Sequence, residues 1–333
     1  MIKGLIRLFI FLSLIAILTI SGAFLWFNHL WSQPVGDGVV AHTQERLLLI
    51  AKGTNHGQLA TQLHREGYLP APWYYTAFSF GFSLIEQDSF APKAGEFAVP
   101  VSATYGDLFK IINEGVAYQH RFALIEGATA RDVVIALNKD KRFTGAILRV
   151  PKEGSLAPDT YFFERGASRA TMIARMQARQ EIIVAEEWSG RNKNTSYRNA
   201  QEALIMASII EKESGLAREQ PLVASVFLNR IAANMRLQSD ATVLYAMIEA
   251  EGRAREVLRS DIETDSPWNT YRRDGYPKTA IGNPGREAIH AALNPMPSAY
   301  FYFVADGQGG HKFAKTYAEH KKNVAAYRKT LGR

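Results

Sequence analysis

An uninterrupted apolar segment near the N-terminus constrains this 333-residue chain more than any other feature of its sequence. Residues 8–27 include no charged side chain and consist largely of leucine, isoleucine and phenylalanine. A helix of about 20 residues is roughly 30 Å long and can cross the hydrocarbon core of a bilayer. Lys3 and Arg7 precede the segment, and no lysine or arginine follows until Arg46. The positive-inside rule therefore predicts a transmembrane anchor at 8–27, a cytoplasmic stub at 1–7 and all later residues outside the cytoplasm.

A cleaved signal peptide is the alternative to a retained anchor, because Ser21 and Ala23 could form a small-residue cleavage site. The apolar segment is longer than the hydrophobic region of an ordinary signal peptide and continues past this site. We therefore favour the anchor. Pro34 and Gly36 then predict a linker over residues 28–41, with the folded part beginning near His42.

Composition excludes several classes of site. The chain has no cysteine, so disulfides, thiolate zinc sites and a cysteine nucleophile are excluded. No dinucleotide or phosphate-binding glycine motif is present, and we predict no cofactor. The net charge of +7 comes mostly from residues 311–333. Because a nucleic-acid binder usually spreads its basic residues over a reading face, we predict no nucleic-acid partner. The basic segment fits either a solvated helix or contact with an anionic polymer or lipid surface.

Three segments in the first half of the chain share one sequence pattern. Each runs from a short strand-like stretch through a polar turn into a helix with apolar residues four positions apart. The turns carry Thr54, Thr104 and Thr129, which can cap a helix start. This order resembles the beginning of a LysM module, and such modules bind N-acetylated glycan. We predict one LysM-like βα subdomain at 42–118, with the third segment leading into the next domain; a scaffold that binds nothing is the alternative.

A buried helix in the second half ends in two carboxylates. From Ala203 onward, apolar residues occupy nearly every direction around the helix, and Glu211 and Glu213 follow, with Gly215 as a stop signal. Two residues apart, these side chains point about 200° apart on a helix and cannot act as an adjacent pair. Glu213 continues an apolar face, where poor solvation raises a carboxyl pKa and favours a general acid. The alternative is that both are solvated surface glutamates.

The second half of the chain contains a series of motifs that together are specific to one family. Amides, hydroxyls and aromatic rings of the kind that line carbohydrate clefts recur from residue 203 to residue 320. The motifs, in chain order, are Ala-Ser-Ile-Ile-Glu-Lys-Glu-Ser at 207–214, Ala-Ser-Val-Phe-Leu-Asn-Arg at 224–230, Leu-Gln-Ser-Asp at 237–240, Asn-Thr-Tyr at 269–271 and Gly-Gly-His at 309–311. Together with the anchor and the LysM-like part, they resemble the endolytic murein transglycosylases, the YceG-like proteins of bacterial inner membranes.

The resemblance implies an α+β fold with a mixed catalytic domain at 119–333, on the periplasmic side of the inner membrane. It implies cleavage of the β-1,4 bond between N-acetylmuramic acid and N-acetylglucosamine in nascent glycan strands. The muramic acid 6-hydroxyl attacks C1, which leaves a 1,6-anhydro end and terminates strand elongation. Peptidoglycan synthases are the implied protein partners. By position, Glu213 matches the catalytic acid of the family.

One protonated glutamate can serve such a reaction as acid and then as base, since an intramolecular nucleophile replaces the second carboxylate that a hydrolase needs. We predict Glu211 as a supporting substrate-binding residue. The candidates for orienting the sugar are Asn229, Gln238, Asn269 and Tyr271, with Asp240 as a structural or supporting residue.

Two other functions stay open at the sequence level: a non-catalytic peptidoglycan-binding scaffold and a lysozyme-like hydrolase. The chain departs from the expected family pattern at Ala241, Trp268 and Lys278, which affects fine specificity more than the reaction. His311 and His320 lie nine residues apart without a matched carboxylate, so we predict no metal site. We also expect a C-terminal helix at about 316–331 to pack on the catalytic domain through Tyr317, Val324, Tyr327 and Leu331.

Overall fold

The computed structural model describes residues 2–36, 45–87 and 89–331, and the chain forms two compact units. The N-terminal unit comprises Met1–His120 together with Phe163–Arg165, and the C-terminal unit comprises Arg121–Phe162 and Gly166–Arg333. The first division lies two residues after the predicted domain boundary at 118. Short two-stranded sheets and many helices make the fold α+β, as predicted.

The N-terminal unit contains α1 (Ile2–Trp31), β1 (Glu45–Ile50), α2 (His56–Arg65), α3 (Trp73–Ile85), β2 (Gly95–Pro100) and α4 (Tyr105–Glu114). The strands β3 (His120–Leu124) and β4 (Asp159–Phe163), with α5 (Ala130–Lys139) between them, lie mainly in the C-terminal unit. The remaining elements are α6 (Arg169–Ser189), α7 (Ala200–Glu213), α8 (Gln220–Ala232), α9 (Asp240–Glu251), α10 (Arg259–Glu263), α11 (Arg286–Leu293), β5 (Tyr302–Ala305), β6 (His311–Ala314) and α12 (Tyr317–Thr330).

The N-terminal helix is long and apolar enough to cross a membrane, as the sequence predicts. It continues to Trp31, beyond the predicted end at residue 27, because Phe27, Leu30 and Trp31 pack on the core of the N-terminal unit. Residues 32–36, expected in the linker, also contact this unit: the Val35 N–H donates a 2.8 Å hydrogen bond to the Ala103 carbonyl. Residues 37–44, with the predicted start of the folded part at His42, lie outside the described residues.

The strand–turn–helix units have paired strands and helices whose first turns are capped by nearby side chains. Strands β1 and β2 pair antiparallel in the register Leu48↔Phe97. The starts of α4 and α5 are capped by Thr104 and Thr129, each in a reciprocal capping box. At α2 the cap is Asn55 and not Thr54: the Asn55 side chain accepts a hydrogen bond from the Gln58 N–H, and the Gln58 side chain reaches back. Thr54 lies one residue before the position where a side-chain oxygen can cap the first turn.

Helix α7 forms the centre of the C-terminal unit. Its residues from Glu202 to Ile210 are all buried, and it packs against α6, α8, α9 and α11. This burial explains why the helix is apolar on nearly every side. The Ser208 hydroxyl, also buried, accepts a 3.0 Å hydrogen bond from the Ile281 N–H.

The C-terminal helix α12 packs against the β5–β6 hairpin of the same unit. Thr316 caps its start, as the predicted boundary implies. The packed face agrees with the expected one in part: Val324 and Tyr327 are half-buried as expected, whereas Tyr317 and Leu331 stay largely exposed. His320, which was not expected on this face, stacks on Tyr302 with ring centroids 5.2 Å apart. Stacking on the hairpin therefore sets which side of α12 faces the unit.

Candidate active site

The last residue of α7, Glu213, lies at the edge of a cavity. The helix ends there because Ser214 adopts an extended backbone, although its N–H still donates to the Ile210 carbonyl. The cavity has a volume of about 420 Å³ and is lined by carboxyl, amide, guanidinium and imidazole groups together with aromatic rings. A small number of polar groups converging on a concave, partly apolar surface is typical of a ligand site.

Ser239 fixes the orientation of Glu213. Its hydroxyl donates a 2.5 Å hydrogen bond to Glu213 Oε1. Ser239 is itself buried and held in place, because its N–H donates to Thr270 Oγ1 at 3.1 Å and its carbonyl accepts from Thr242 Oγ1 at 2.7 Å. With Oε1 occupied as an acceptor, Oε2 is the oxygen that can carry a proton.

The surroundings of Glu213 favour its neutral form. Burial raises the pKa of this carboxyl above its ordinary value, and the nearby Asp240 charge raises it further. The Ser239 hydrogen bond and the nearby Arg230 and His311 act in the opposite direction without cancelling the effect of burial on the Glu213 pKa. A protonated carboxylic acid at the edge of a cavity can donate its proton to a bound molecule.

A second polar pair lines the same cavity. The Tyr271 hydroxyl donates a 2.6 Å hydrogen bond to Asp240 Oδ1, and burial raises the tyrosine pKa, so Tyr271 keeps its proton. Gln238 lies beside them and is exposed. Its backbone is in the left-handed region, with φ at 53°. Such a conformation is uncommon for a residue other than glycine and is concentrated at functional sites.

Arg230 and His320 complete the cavity lining. The buried Arg230 donates from Nε to the Phe301 carbonyl at 2.7 Å and from Nη1 to the Leu237 carbonyl at 2.6 Å. The bond to Leu237 joins α8 to the loop that carries Gln238 and Ser239, and the bond to Phe301 joins α8 to the segment just before β5. Burial and the Arg230 charge both lower the pKa of His320, which keeps its imidazole neutral. Sequence reasoning missed the roles of Ser239 and Arg230, although both stand within the motifs that it singled out.

Three of the predicted site residues lie elsewhere in the C-terminal unit. The Asn229 amide donates to the Ser298 and Tyr300 carbonyls at 3.0 and 2.9 Å. The Asn269 amide is buried and donates to three carbonyls, of which Thr264 is the nearest at 2.7 Å. Both amides therefore hold loops. Glu211 Oε2 accepts a 2.9 Å hydrogen bond from the Gly285 N–H, away from the residues that line the cavity.

The two carboxyls at the end of α7 thus face different surroundings, as their angular separation on the helix predicts. Burial raises the pKa of Glu211 as well, with a contribution from the nearby Glu126 charge. A raised pKa alone does not distinguish the two residues. Their position does, because Glu213 borders the cavity and Glu211 packs beside Gly285 and Gly127.

Two other cavities of the C-terminal unit differ from the cavity at Glu213 because they contain acidic residues that form ion pairs with arginines. One, of about 400 Å³ beside Trp268, contains Asp261, which pairs with Arg255 at 2.6 Å. The other, of about 570 Å³ beside Tyr276, contains Glu202, which pairs with Arg198. Among the ion pairs of the described residues, neither Glu213 nor Asp240 has a partner. Of these three cavities, the one at Glu213 is therefore the one with acidic residues that are not neutralised by an ion pair.

The two histidines considered as metal ligands lie in separate surroundings. His311 Nδ1 is 2.8 Å from Glu219 Oε2, whereas His320 stacks on Tyr302. In residues 2–36, 45–87 and 89–331, no cluster of three histidine, aspartate or glutamate side chains suited to a metal ion is found.

Comparison with known proteins places these features in a family. The sequence model of the YceG-like family matches residues 48–326. Over 180 residues the chain is 36% identical to a Bacillus subtilis protein named endolytic murein transglycosylase, which covers 54% of this chain and 49% of that protein. A Streptococcus pneumoniae protein of the same name is 31% identical over 179 residues, covering 53% of this chain and 32% of that protein. The chain thus spans half or less of the length of these relatives.

A solved structure is also similar. It is the crystal structure of a yceG-like protein from Listeria monocytogenes, with 28% sequence identity and a TM-score of 0.49. The match covers 84% of this chain and 99% of that chain.

Proposed function

Because the chain belongs to the YceG-like family, we propose that it is a peptidoglycan lytic transglycosylase that cuts inside nascent glycan strands. The names of the curated relatives support this activity. Within the chain itself, the observation that carries the proposal is the position of Glu213, a carboxyl whose pKa is raised by burial, at the edge of a cavity lined by polar groups.

The chemistry follows from having one acid in position. Glu213 Oε2 donates its proton to the oxygen that links N-acetylmuramic acid to N-acetylglucosamine, and the bond between that oxygen and C1 breaks. The 6-hydroxyl of the same muramic acid forms the new bond to C1 and loses its proton to the Glu213 carboxylate. The products are a free hydroxyl on N-acetylglucosamine and a 1,6-anhydro end, with the acid regenerated and no water consumed.

The remaining residues of the cavity fit this reaction. Gln238 and the protonated Tyr271 supply hydrogen-bonding groups for sugar hydroxyl and acetamido groups. The Asp240 carboxylate can stabilise the positive charge that develops at C1, since opposite charges attract strongly in a partly buried site. The polar groups that reach the cavity thus serve binding and charge stabilisation, while Glu213 moves the proton.

The cellular setting belongs to the same proposal. We assign α1 as a single-pass anchor in the bacterial inner membrane, with its N-terminus in the cytoplasm and both units in the periplasm. The capped strand–turn–helix units of the N-terminal unit support a LysM-like glycan contact. Peptidoglycan synthases that make the strands are the expected partners.

One observation favours a second candidate, a lysozyme-like hydrolase. Asp240 lines the same cavity as Glu213 and has no ion-pair partner among the described residues. A hydrolase uses such a second carboxylate either as nucleophile or to activate water. The engagement of Asp240 with the Tyr271 hydroxyl favours a supporting role for this carboxylate and hence the lyase.

A direct test of enzyme against scaffold is incubation of the detergent-solubilised full chain with uncrosslinked glycan strands. We expect the strands to shorten at internal positions, with new ends that increase in proportion to time and to protein concentration, as detected by mass spectrometry. Retention of the glycan on the protein with no new ends would contradict the proposal and favour a binding scaffold.

Ser239→Ala tests the positioning of the acid. The variant loses a hydrogen bond of about 1 kcal/mol, which predicts a fall in kcat of roughly fivefold. The same bond lowers the pKa of Glu213, so its loss raises that pKa further. The acid then stays protonated to higher pH, and the alkaline limb of the kcat profile moves upward.

Ser239→Thr keeps the hydroxyl and is expected to restore both the rate and the pH profile. An alanine variant with reduced kcat but an unshifted alkaline limb would show that Ser239 acts only on the fold.

A further inference from the structure

Helix α3 has two apolar faces and no charged residue along its length. One face is buried in the core of the N-terminal unit through Tyr75, Phe78 and Phe82. On the other face, Phe80 is 68% exposed and Leu84 is 65% exposed, and Trp73 at the start of the helix is 55% exposed. Spacings of seven and four residues place these three side chains on one side of a helix. A surface helix of a globular protein normally carries polar and charged side chains there.

The end of α1 packs directly on α3 and α4. The Phe27 and Phe78 ring centroids are 5.8 Å apart, and those of Trp31 and Phe78 are 5.7 Å apart. Glycines make this close approach possible: a Cβ on Gly81 would lie 1.9 Å from Phe27 Cζ, and a Cβ on Gly106 would lie 2.4 Å from Trp31 Nε1. The rest of the N-terminal unit therefore packs directly against the last two turns of α1, with no linker between them.

The contacts also place α3 beside the exposed apolar segment of α1. The Phe27 ring lies against both Gly81 and Phe78 of α3, and Trp31, one turn later, also lies against Phe78. The residues of α1 immediately before Phe27 are exposed: Phe24, Leu25 and Trp26. The exposed apolar part of α1 therefore begins within one turn of the residues that contact α3.

We propose that α3 lies in the interfacial layer of the membrane that α1 crosses, with Trp73, Phe80 and Leu84 in contact with lipid. This proposal rests on the membrane anchoring assigned to α1 above. The occupant of the exposed face is inferred from continuity, since the face is apolar and uncharged and belongs to a helix that contacts α1 within one turn of its exposed apolar residues. An interfacial helix of this kind buries its apolar side about 5–10 Å below the headgroups. The N-terminal unit would then rest on the bilayer and not extend freely from it.

The absence of natural cysteine makes the test direct, because a fluorophore on any introduced cysteine is a unique reporter. The full chain is reconstituted into vesicles of phosphatidylethanolamine and phosphatidylglycerol, with an environment-sensitive fluorophore at one of four positions. Phe80→Cys and Leu84→Cys report on α3, Leu18→Cys reports on α1, and Thr61→Cys on the exposed side of α2 is the matched control in the same unit. Quenching is measured with lipids that carry a nitroxide either near the headgroup or near the end of the acyl chain, and with iodide in the water.

We expect the headgroup-proximal nitroxide to quench the labels at 80 and 84 strongly, the chain-end nitroxide to quench the label at 18, and iodide to quench the label at 61. Strong lipid quenching at 18 combined with iodide quenching at 80 and 84 would overturn the α3 proposal and leave the anchor intact. Labels at 80 and 84 that neither lipid nor iodide can quench would also overturn it, in favour of a protein partner or a second copy. Loss of lipid quenching at 18 would instead refute the anchor itself.

Discussion

Replacing Glu213 with glutamine is expected to reduce the cleavage rate by about 10²–10⁴-fold, the contribution that a positioned acid and base typically makes. Glutamine has the shape of the neutral acid and keeps an acceptor for the Ser239 hydroxyl, but its amide has no acidic proton to transfer to the leaving oxygen. The rate of formation of new glycan ends by the full chain measures the effect. Glu211→Gln is the matched control, and it should retain most of the activity because its carboxyl packs against the Gly285 N–H.

The fold of Glu213→Gln should be unaffected. Burial raises the pKa of Glu213 in the folded protein, so wild-type stability falls as pH rises from the unfolded-state pKa to the higher folded-state pKa. Glutamine does not ionise and avoids this loss. The thermal midpoint of the variant near neutral pH should therefore equal or exceed that of the wild type. An active Glu213→Gln beside an inactive Glu211→Gln would reverse the assignment of the acid.

The largest stability effect is expected from Ile209→Ala. Ile209 is fully buried at the centre of α7, in the core cluster shared with α8 and α11. Loss of the side chain leaves a cavity in close-packed surroundings, with a cost of about 2–5 kcal/mol. At about 2–4 °C per kcal/mol for a unit of this size, the melting midpoint should fall by several degrees.

Ile182→Ala on α6 is the matched control for this substitution. Ile182 is 49% exposed, and surface substitutions usually change stability by no more than about 0.5 kcal/mol. The measurement is near-UV circular dichroism of the detergent-solubilised full chain during heating. Equal melting midpoints for the two variants would show that α7 does not carry the core of the C-terminal unit.

Features set by neighbouring residues could be predicted from the sequence. Thr104 and Thr129 cap their helices because capping depends on residues three positions apart. The membrane-spanning length and apolar character of α1 could be predicted from the composition of residues 8–27 alone. The different surroundings of Glu211 and Glu213 followed from helix geometry, which holds whatever the tertiary fold.

Features set by distant residues could not be predicted. An asparagine amide can face a ligand or bind loop carbonyls, and the sequence around Asn229 and Asn269 does not distinguish these roles. Ser239 reaches Glu213 only because α7 and the start of α9 pack together. The contacts of Trp31 with Phe78 and Gly106 likewise depend on how α3 and α4 pack on the end of α1, so residues expected in a linker belong to the packed N-terminal unit.

The measurement that tests the mechanism most directly is the mass of the cleaved ends after reaction in isotopically labelled water. If Glu213 acts alone and the muramic acid 6-hydroxyl is the nucleophile, every new muramic end should lack one water molecule and carry no isotope from the solvent. Reducing ends that contain oxygen from the labelled water would contradict this account and identify the chain as a hydrolase, with Asp240 as its second carboxylate.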